Sequence, residues 1–323
     1  MSPWLLLAGG GMLLYLGAEW FVGGASALAL ALRVPQILVG LTVVAYGTSA
    51  PEVIVGLEAA LKGHGDVALG NVVGSNVANI GLILGVSALI KPARVDGSLR
   101  RRELPMLVAS AAVVPLLLVD GVVRAWEGAA LLLVAVGYTA WMILAARAAS
   151  VAAARADARH TSEAADAAGA PRVFGVTRSL ITAAVGLGAL LVGGNVFVGA
   201  AVGVARSLGM TERLVGLTIV AVGTSLPELI TSTIAARRGH SDIAVGNVVG
   251  SNIFNTFLCL GSASLAGVVG GELRAVSMDL TAMLVMTLLA AAMMRVERTI
   301  TRAEGAMMLA LYAAFTAVTV ARG

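Results

Sequence analysis

The 323-residue chain is 59% hydrophobic and only 12% charged, with a mean hydropathy of +0.93, a balance that excludes an ordinary soluble domain and indicates a polytopic membrane protein. A net charge of +4 and a pI near 9.7 would suggest an anionic partner in a soluble chain; in a membrane chain such charges sort by side, and nucleic-acid binding is not indicated. The lone Cys259 excludes an internal disulfide.

Apolar stretches of about 20 residues, enough to cross a bilayer, recur along the whole sequence. Ten spans are expected, near 4–31, 35–60, 67–90, 104–119, 125–146, 179–205, 213–236, 243–268, 275–294 and 303–321. The first lacks a small-residue cleavage site behind a basic start, so it reads as mature helix and not as a signal peptide. Counting loops alternately puts Arg33, Lys91 to Arg102, Arg147 to Arg178, Arg237, Arg238 and Arg295 to Arg302 on one side. Only Lys62, Arg124, Arg206, Arg213, Arg274 and Arg322 fall on the other. The larger set belongs in the cytoplasm, which leaves both termini outside. An Ala-, Arg- and Asp-rich stretch at 148–178, interrupted by Pro171, reads as a cytoplasmic linker, partly helical at most, between a first repeat at 1–147 and a second at 179–323.

The two halves carry the same motifs 176 residues apart. Gly40-Leu-Thr-Val-Val-Ala-Tyr-Gly-Thr-Ser-Ala-Pro-Glu52 returns as Gly216-Leu-Thr-Ile-Val-Ala-Val-Gly-Thr-Ser-Leu-Pro-Glu228, and Gly70-Asn-Val-Val-Gly-Ser-Asn76 returns as Gly246-Asn-Val-Val-Gly-Ser-Asn252. Five spans per half make the repeats inverted, so both Glu motifs meet near the midplane from opposite faces. The expected fold is therefore all-α, with ten transmembrane helices as two inverted five-helix repeats.

Within the first motif Pro51 has no N–H and frees the carbonyl of Gly47, where glycine eases unwinding. Broken backbone at membrane depth is tolerated where it is buried in protein or faces a wet cavity. The break presents Thr48 and Ser49 beside Glu52, and the second half presents Thr224 and Ser225 beside Glu228. Hard oxygen ligands with two carboxylates suit Ca²⁺ or Na⁺ and not a soft transition metal. Asn71, Ser75 and Asn79 share one helical stripe, as do Asn247, Ser251 and Asn255. Gly70, Gly74, Gly81 and Gly85 are small positions that admit close neighbours. Single Pro, Ser or Asn residues in a span usually serve packing. A mid-membrane Glu costs a few kcal/mol and marks function. Glu19 aligns with Asn195, so its charge is not repeated and both a structural or gating role and ion contact stay open. His64 with Asp66 and His240 with Asp242 fall in short loops and read as solvated turns.

These motifs in two inverted copies closely resemble the calcium/cation antiporter superfamily, in particular the sodium/calcium exchangers and their bacterial relatives. The resemblance implies that helices 2, 3, 7 and 8 form an ion site and that helices 1 and 6 slide across them in alternating access. Carried over by position, the divalent site would use Glu52 and Glu228. Sodium sites would add oxygens from Ala45, Thr48, Ser49, Ser75 and Asn79, and from Ala221, Thr224, Ser225 and Ser251. Asn255 stands where well-studied exchangers of this kind carry Asp. Two Glu alone balance one Ca²⁺, two Na⁺ or two protons, and a third Na⁺ would leave the site positive.

The resemblance thus implies a secondary antiporter of Ca²⁺ and Na⁺ in the bilayer, with no cofactor, nucleotide or nucleic acid, and not an enzyme, since no nucleophile with a paired His lies in the spans. The alternatives are H⁺/Ca²⁺ exchange through the same pair, whose branch usually carries a different acidic motif, and, from another class, a cation channel. Lys62 and Lys91 are the only lysines among many arginines, a composition expected of a prokaryotic inner (plasma) membrane protein. Oligomeric state is left open.

Overall fold

A computed structural model describes residues 2–95, 97, 99–160, 173–210, 221–271, 273–296 and 299–322. In chain order the helices are α1 Pro3–Leu32, α2 Gln36–Thr48, α3 Ala50–Leu61, α4 Gly65–Ile90, α5 Leu104–Leu117, α6 Ala125–His160, α7 Val173–Ser207, α8 Ala221–Gly223, α9 Leu226–Arg237, α10 Ser241–Ala266, α11 Leu273–Val296 and α12 Arg302–Arg322. Among the described residues seven helices (α1, α4, α6, α7, α10, α11 and α12) are long and apolar enough to cross a membrane, and α2 with α3, bent by 42°, passes the same test when the two are taken together.

The span expected near 104–119 is the 14-residue α5, preceded by a π-helical turn at Leu99–Glu103. The span expected near 213–236 begins outside the described residues; its second part is α9. Helix α6 continues to His160, past the expected end near 146, because the Ala-rich sequence that follows has high helix propensity. Residues 161–172 of the expected linker lie outside the described residues.

Burial orders the helices into layers. The spanning segments of α10 and α4 are 94% and 72% buried, whereas those of α1, α6, α7, α11 and α12 are one-third buried or less. Large apolar side chains such as Leu116, Val119, Leu133 and Val136 point outward, the surface a bilayer requires. Around the two central helices the same contact is made twice. Gly85 of α4 faces Gly305 and Leu309 of α12, and Gly261 of α10 faces Gly128 and Leu132 of α6. Two short antiparallel pairs close the ends of the bundle, β1 (Ala93–Arg94) with β4 (Thr299–Ile300) and β2 (Val122–Val123) with β3 (Val269–Gly270). Of the glycines expected to admit neighbours, Gly81 and Gly85 meet α12; no described residue lies within 4 Å of a Cβ built at Gly70 or Gly74.

Helices α1 and α7 form a separate antiparallel pair. Gly10 abuts Phe197, Gly17 abuts Leu190 and Gly24 abuts Ala183, while Gly193 and Gly186 of α7 abut Leu14 and Phe21 of α1. Glycine recurs every seventh residue on both helices, so each seam position brings backbone against backbone. A Cβ at Gly17 would lie 2.4 Å from the Leu190 nitrogen, and one at Gly186 would lie 2.3 Å from the Phe21 nitrogen. With lipid as apolar as leucine, such close packing holds membrane helices together. The pair meets the remaining bundle through an apolar cluster that joins Leu14, Phe21 and Val22 to Val44 of α2, Ile234 of α9 and Ile243 of α10. Polar ties add to it: Glu19, midway along α1, pairs with Arg238, and Gln36 donates to Ser26 Oγ at 3.0 Å and meets His240 Nδ1 at 3.0 Å.

Gly17→Ala and Gly186→Ala are therefore expected to destabilise the protein by about 1–3 kcal/mol each through overpacking. Gly9→Ala, with no described residue in reach, is expected to leave it unchanged or slightly firmer. Thermal unfolding in detergent compares the three.

Candidate functional site

The site grows from two matched helix breaks. Ser49 (φ −81°, ψ 3°) separates α2 from α3, and Ser225 (φ −88°, ψ 7°) precedes α9. Pro51 and Pro227 stand in the first turns that follow, where a missing N–H costs nothing. The break is a bend rather than an unwound stretch. Gly47 itself stays helical, with no positive φ, and is small because Leu187 of α7 and Phe21 of α1 press on it, not because it must unwind. Gly223 is pressed in the same way by Val198.

Glu52 and Glu228 occupy the first turns of α3 and α9, at the helix ends whose dipole favours negative charge, and are only 1% and 0% exposed. Each is held by the hydroxyl of the other half. Ser49 Oγ donates to Glu228 Oε1 at 3.2 Å, and Ser225 Oγ donates to Glu52 Oε1 at 3.3 Å. The second oxygen of each carboxylate, Oε2, is buried without a described partner. Thr48 Oγ1 donates to the Val44 carbonyl at 3.0 Å and to Asn247 Oδ1 at 3.1 Å, tying the first break to α10.

The remaining predicted residues lie on the helices that flank the pair. Asn79 and Asn255 each open a π-helical turn, Asn79–Leu84 and Asn255–Leu260. The Asn79 turn packs against α9 and the Asn255 turn against α3, so each amide is carried toward the opposite half's carboxylate. Both amide atoms of Asn79, the Asn255 Nδ2 and the Ser251 hydroxyl are buried without a described partner, and Ser75 is buried. The Ala45 carbonyl accepts the Ser49 N–H at 3.0 Å and keeps a second lone pair. Thr224 is half-buried beside a cavity of about 340 Å³ that Pro51, Pro227, Gly194 and Asn195 also line. Ala221 starts the short α8; its side chain, like residues 216–220 of the second motif, lies outside what is described. Glu19, by contrast, is spent on Arg238, while its counterpart Asn195 faces the cavity.

Further polar residues support the site, some from the expected stripes and some outside the repeated motifs. Asn71 Nδ2 donates to the Glu52 carbonyl at 3.0 Å, and Asn247 Nδ2 donates to Ser232 Oγ at 2.9 Å. Asn76 Nδ2 reaches Thr256 Oγ1 across the centre at 3.2 Å, and the Cys259 thiol donates to Asn255 Oδ1 at 3.6 Å. Asn71 and Asn247 are the first residues of the Asn-Ser-Asn stripes expected from the sequence; Ser232, Thr256 and Cys259 were not expected at the site and have no polar counterpart in the other half.

Among the described residues no group of three or more His, Cys, Asp or Glu side chains converges. What converges is two carboxylates with unpaired oxygens, hydroxyls and amides. In a low-dielectric interior, that set favours a hard cation that neutralises the pair.

The family model for the sodium/calcium exchanger protein matches residues 2–144 and 178–321. The chain is 37% identical to the inner membrane protein YrbG of Escherichia coli (strain K12), over 88% of this chain and 86% of that protein. It is 30% identical to the sodium/calcium exchanger MaX1 of Methanosarcina acetivorans, over 97% of both. The structure of the sodium-calcium exchanger NCX_Mj soaked with 2.5 mM Na⁺ and 0.1 mM Ca²⁺ superposes with a TM-score of 0.83 at 30% identity, covering 98% of this chain and 99% of that one.

Because each serine serves the opposite carboxylate, Ser49→Ala and Ser225→Ala are expected to weaken Ca²⁺ binding by similar amounts, about tenfold each for a lost hydrogen bond to a charged group. Isothermal titration of the purified protein measures both.

Proposed function

The chain belongs to the sodium/calcium exchanger protein family, and on that premise we propose that it is a secondary antiporter that exchanges Ca²⁺ for Na⁺ across the membrane by alternating access. The observation that carries the proposal is the reciprocal pair: Glu52 and Glu228, each buried and each hydrogen-bonded by the serine of the other half. A buried site of charge −2 is costly when empty and neutral with one Ca²⁺ or two Na⁺. Competition of the two ions for the same carboxylates couples their movement.

In this reading Glu52 and Glu228 hold Ca²⁺. Oxygens of Thr48, Ser49, Ser75, Asn79 and Ala45, and of Thr224, Ser225, Ser251, Asn255 and Ala221, complete the cation shells. The ten-helix, inverted-repeat architecture is supported by the antiparallel α1–α7 ladder and the doubled Gly85–Gly305 and Gly261–Gly128 contacts. Helices α1 and α7, the first and sixth expected spans, move as one body across the site. Both termini lie outside, with 148–178 in the cytoplasm of a prokaryotic cell between repeats 1–147 and 179–323. Asn255 supplies no third carboxylate, which makes proton coupling through the same two Glu the second reading.

The test is ⁴⁵Ca²⁺ uptake into proteoliposomes loaded with Na⁺ and diluted into Na⁺-free buffer, beside K⁺-loaded vesicles given a pH gradient. Uptake driven by the outward Na⁺ gradient alone is expected. Uptake driven only by the pH gradient would assign the carboxylates to protons, and uptake at pore-like rates without any gradient would replace the carrier with a channel.

A further inference from the structure

A second cavity, larger than the one beside the carboxylates, opens between α1, α2 and α6. Its volume is about 690 Å³, within the range of ligand pockets, and its wall is built from Leu28 and Leu32 of α1, Val39 and Val43 of α2, and Met142 and Ile143 of α6. The few polar side chains in the wall are already satisfied within the protein. Thr42 Oγ1 donates to the Leu38 carbonyl at 2.6 Å, Thr139 Oγ1 donates to the Ala135 carbonyl at 2.7 Å, and the Tyr46 hydroxyl pairs with Thr139. Nothing deep in the groove asks for water or an ion, so its occupant is hydrocarbon.

The mouth differs from the depth. Leu32, Val34, Arg147 and Val151 line the end where α1 finishes and α2 begins, and Arg147 is the one charged residue of the lining. Among the described residues its guanidinium has no ion-pair partner. An apolar slot of this depth inside a membrane span, capped by a lone cation, has the complementarity of one molecule type: an acyl chain joined to an anionic head group.

We propose that this groove is a binding site for an anionic phospholipid, with one acyl chain between α1, α2 and α6 and the phosphate on Arg147. A lipid seated there touches Leu28 and Leu32 of α1, one half of the α1–α7 pair, and thereby weighs on any movement of that pair. The binding claim stands apart from the exchanger reading; only the effect on transport rests on it.

Native mass spectrometry of the full chain in detergent, with phosphatidylglycerol or phosphatidylcholine added, reads binding directly. The wild type is expected to retain phosphatidylglycerol about fivefold better, the worth of one arginine near an anionic lipid surface. Arg147→Gln is expected to lose that preference, and Ile143→Trp, which fills the groove, is expected to lose the retained lipid altogether. Thermal unfolding confirms that both variants fold. An undiminished preference in Arg147→Gln, unchanged retention in Ile143→Trp, or a dimer peak that lipid does not displace would overturn the proposal. If lipid binds as expected but ⁴⁵Ca²⁺ uptake is absent in every vesicle, the exchanger reading fails and the lipid site stands.

Discussion

Two carboxylates buried in the middle of an apolar bundle govern the rest of this structure. Glu52 and Glu228 cannot be reached by bulk water, and the protein meets their charge with helix N-termini and crossed serine hydroxyls while leaving one oxygen of each unpaired. Because Ser49 serves Glu228 and Ser225 serves Glu52, neither half completes its own carboxylate. The site exists only when both halves are assembled, and a change in the approach of one half is felt at both charges.

The surrounding packing divides into a central layer and an outer helix pair. Helices α4 and α10 are nearly sheathed in protein, braced by Asn71 on the Glu52 carbonyl, by Asn247 between Thr48 and Ser232, and by Asn76 on Thr256. The α1–α7 pair is bound to itself by backbone-close glycine contacts and to the bundle by an apolar cluster that joins Phe21, Val22 and Leu190 to Val44, Ile234 and Ile243, with Glu19 paired to Arg238 and Gln36 bonded to Ser26. Dispersion between close backbones is dense and short-ranged, whereas a half-exposed ion pair contributes little.

Much of this was legible in the sequence because the repeat carries the chemistry. Identical spacing of Thr-Ser-X-Pro-Glu in two apolar runs located both helix breaks and both carboxylates, and Asn79 and Asn255 followed from the stripe. The π-helical turns that begin at those two asparagines were not legible, since local propensity does not distinguish them from α-helix. Glycines were read as hinges or general spacers. Gly47 proved to be a contact point, and the heptad of Gly10, Gly17 and Gly24 carries meaning only once the antiparallel partner is known. The position of α5 was found, but its short helical length was not, because the preceding Arg-rich stretch contributes a turn that hydropathy assigns to a loop.

A single cation site shared between the halves is the centre of the proposed exchange. Isothermal titration of Ca²⁺ into the purified wild type, Glu52→Gln and Glu228→Gln tests that most directly. One Ca²⁺ per chain in the wild type and no measurable binding in either variant is the predicted result. Retention of wild-type binding in either variant, or two independent sites each abolished by one substitution, would contradict it.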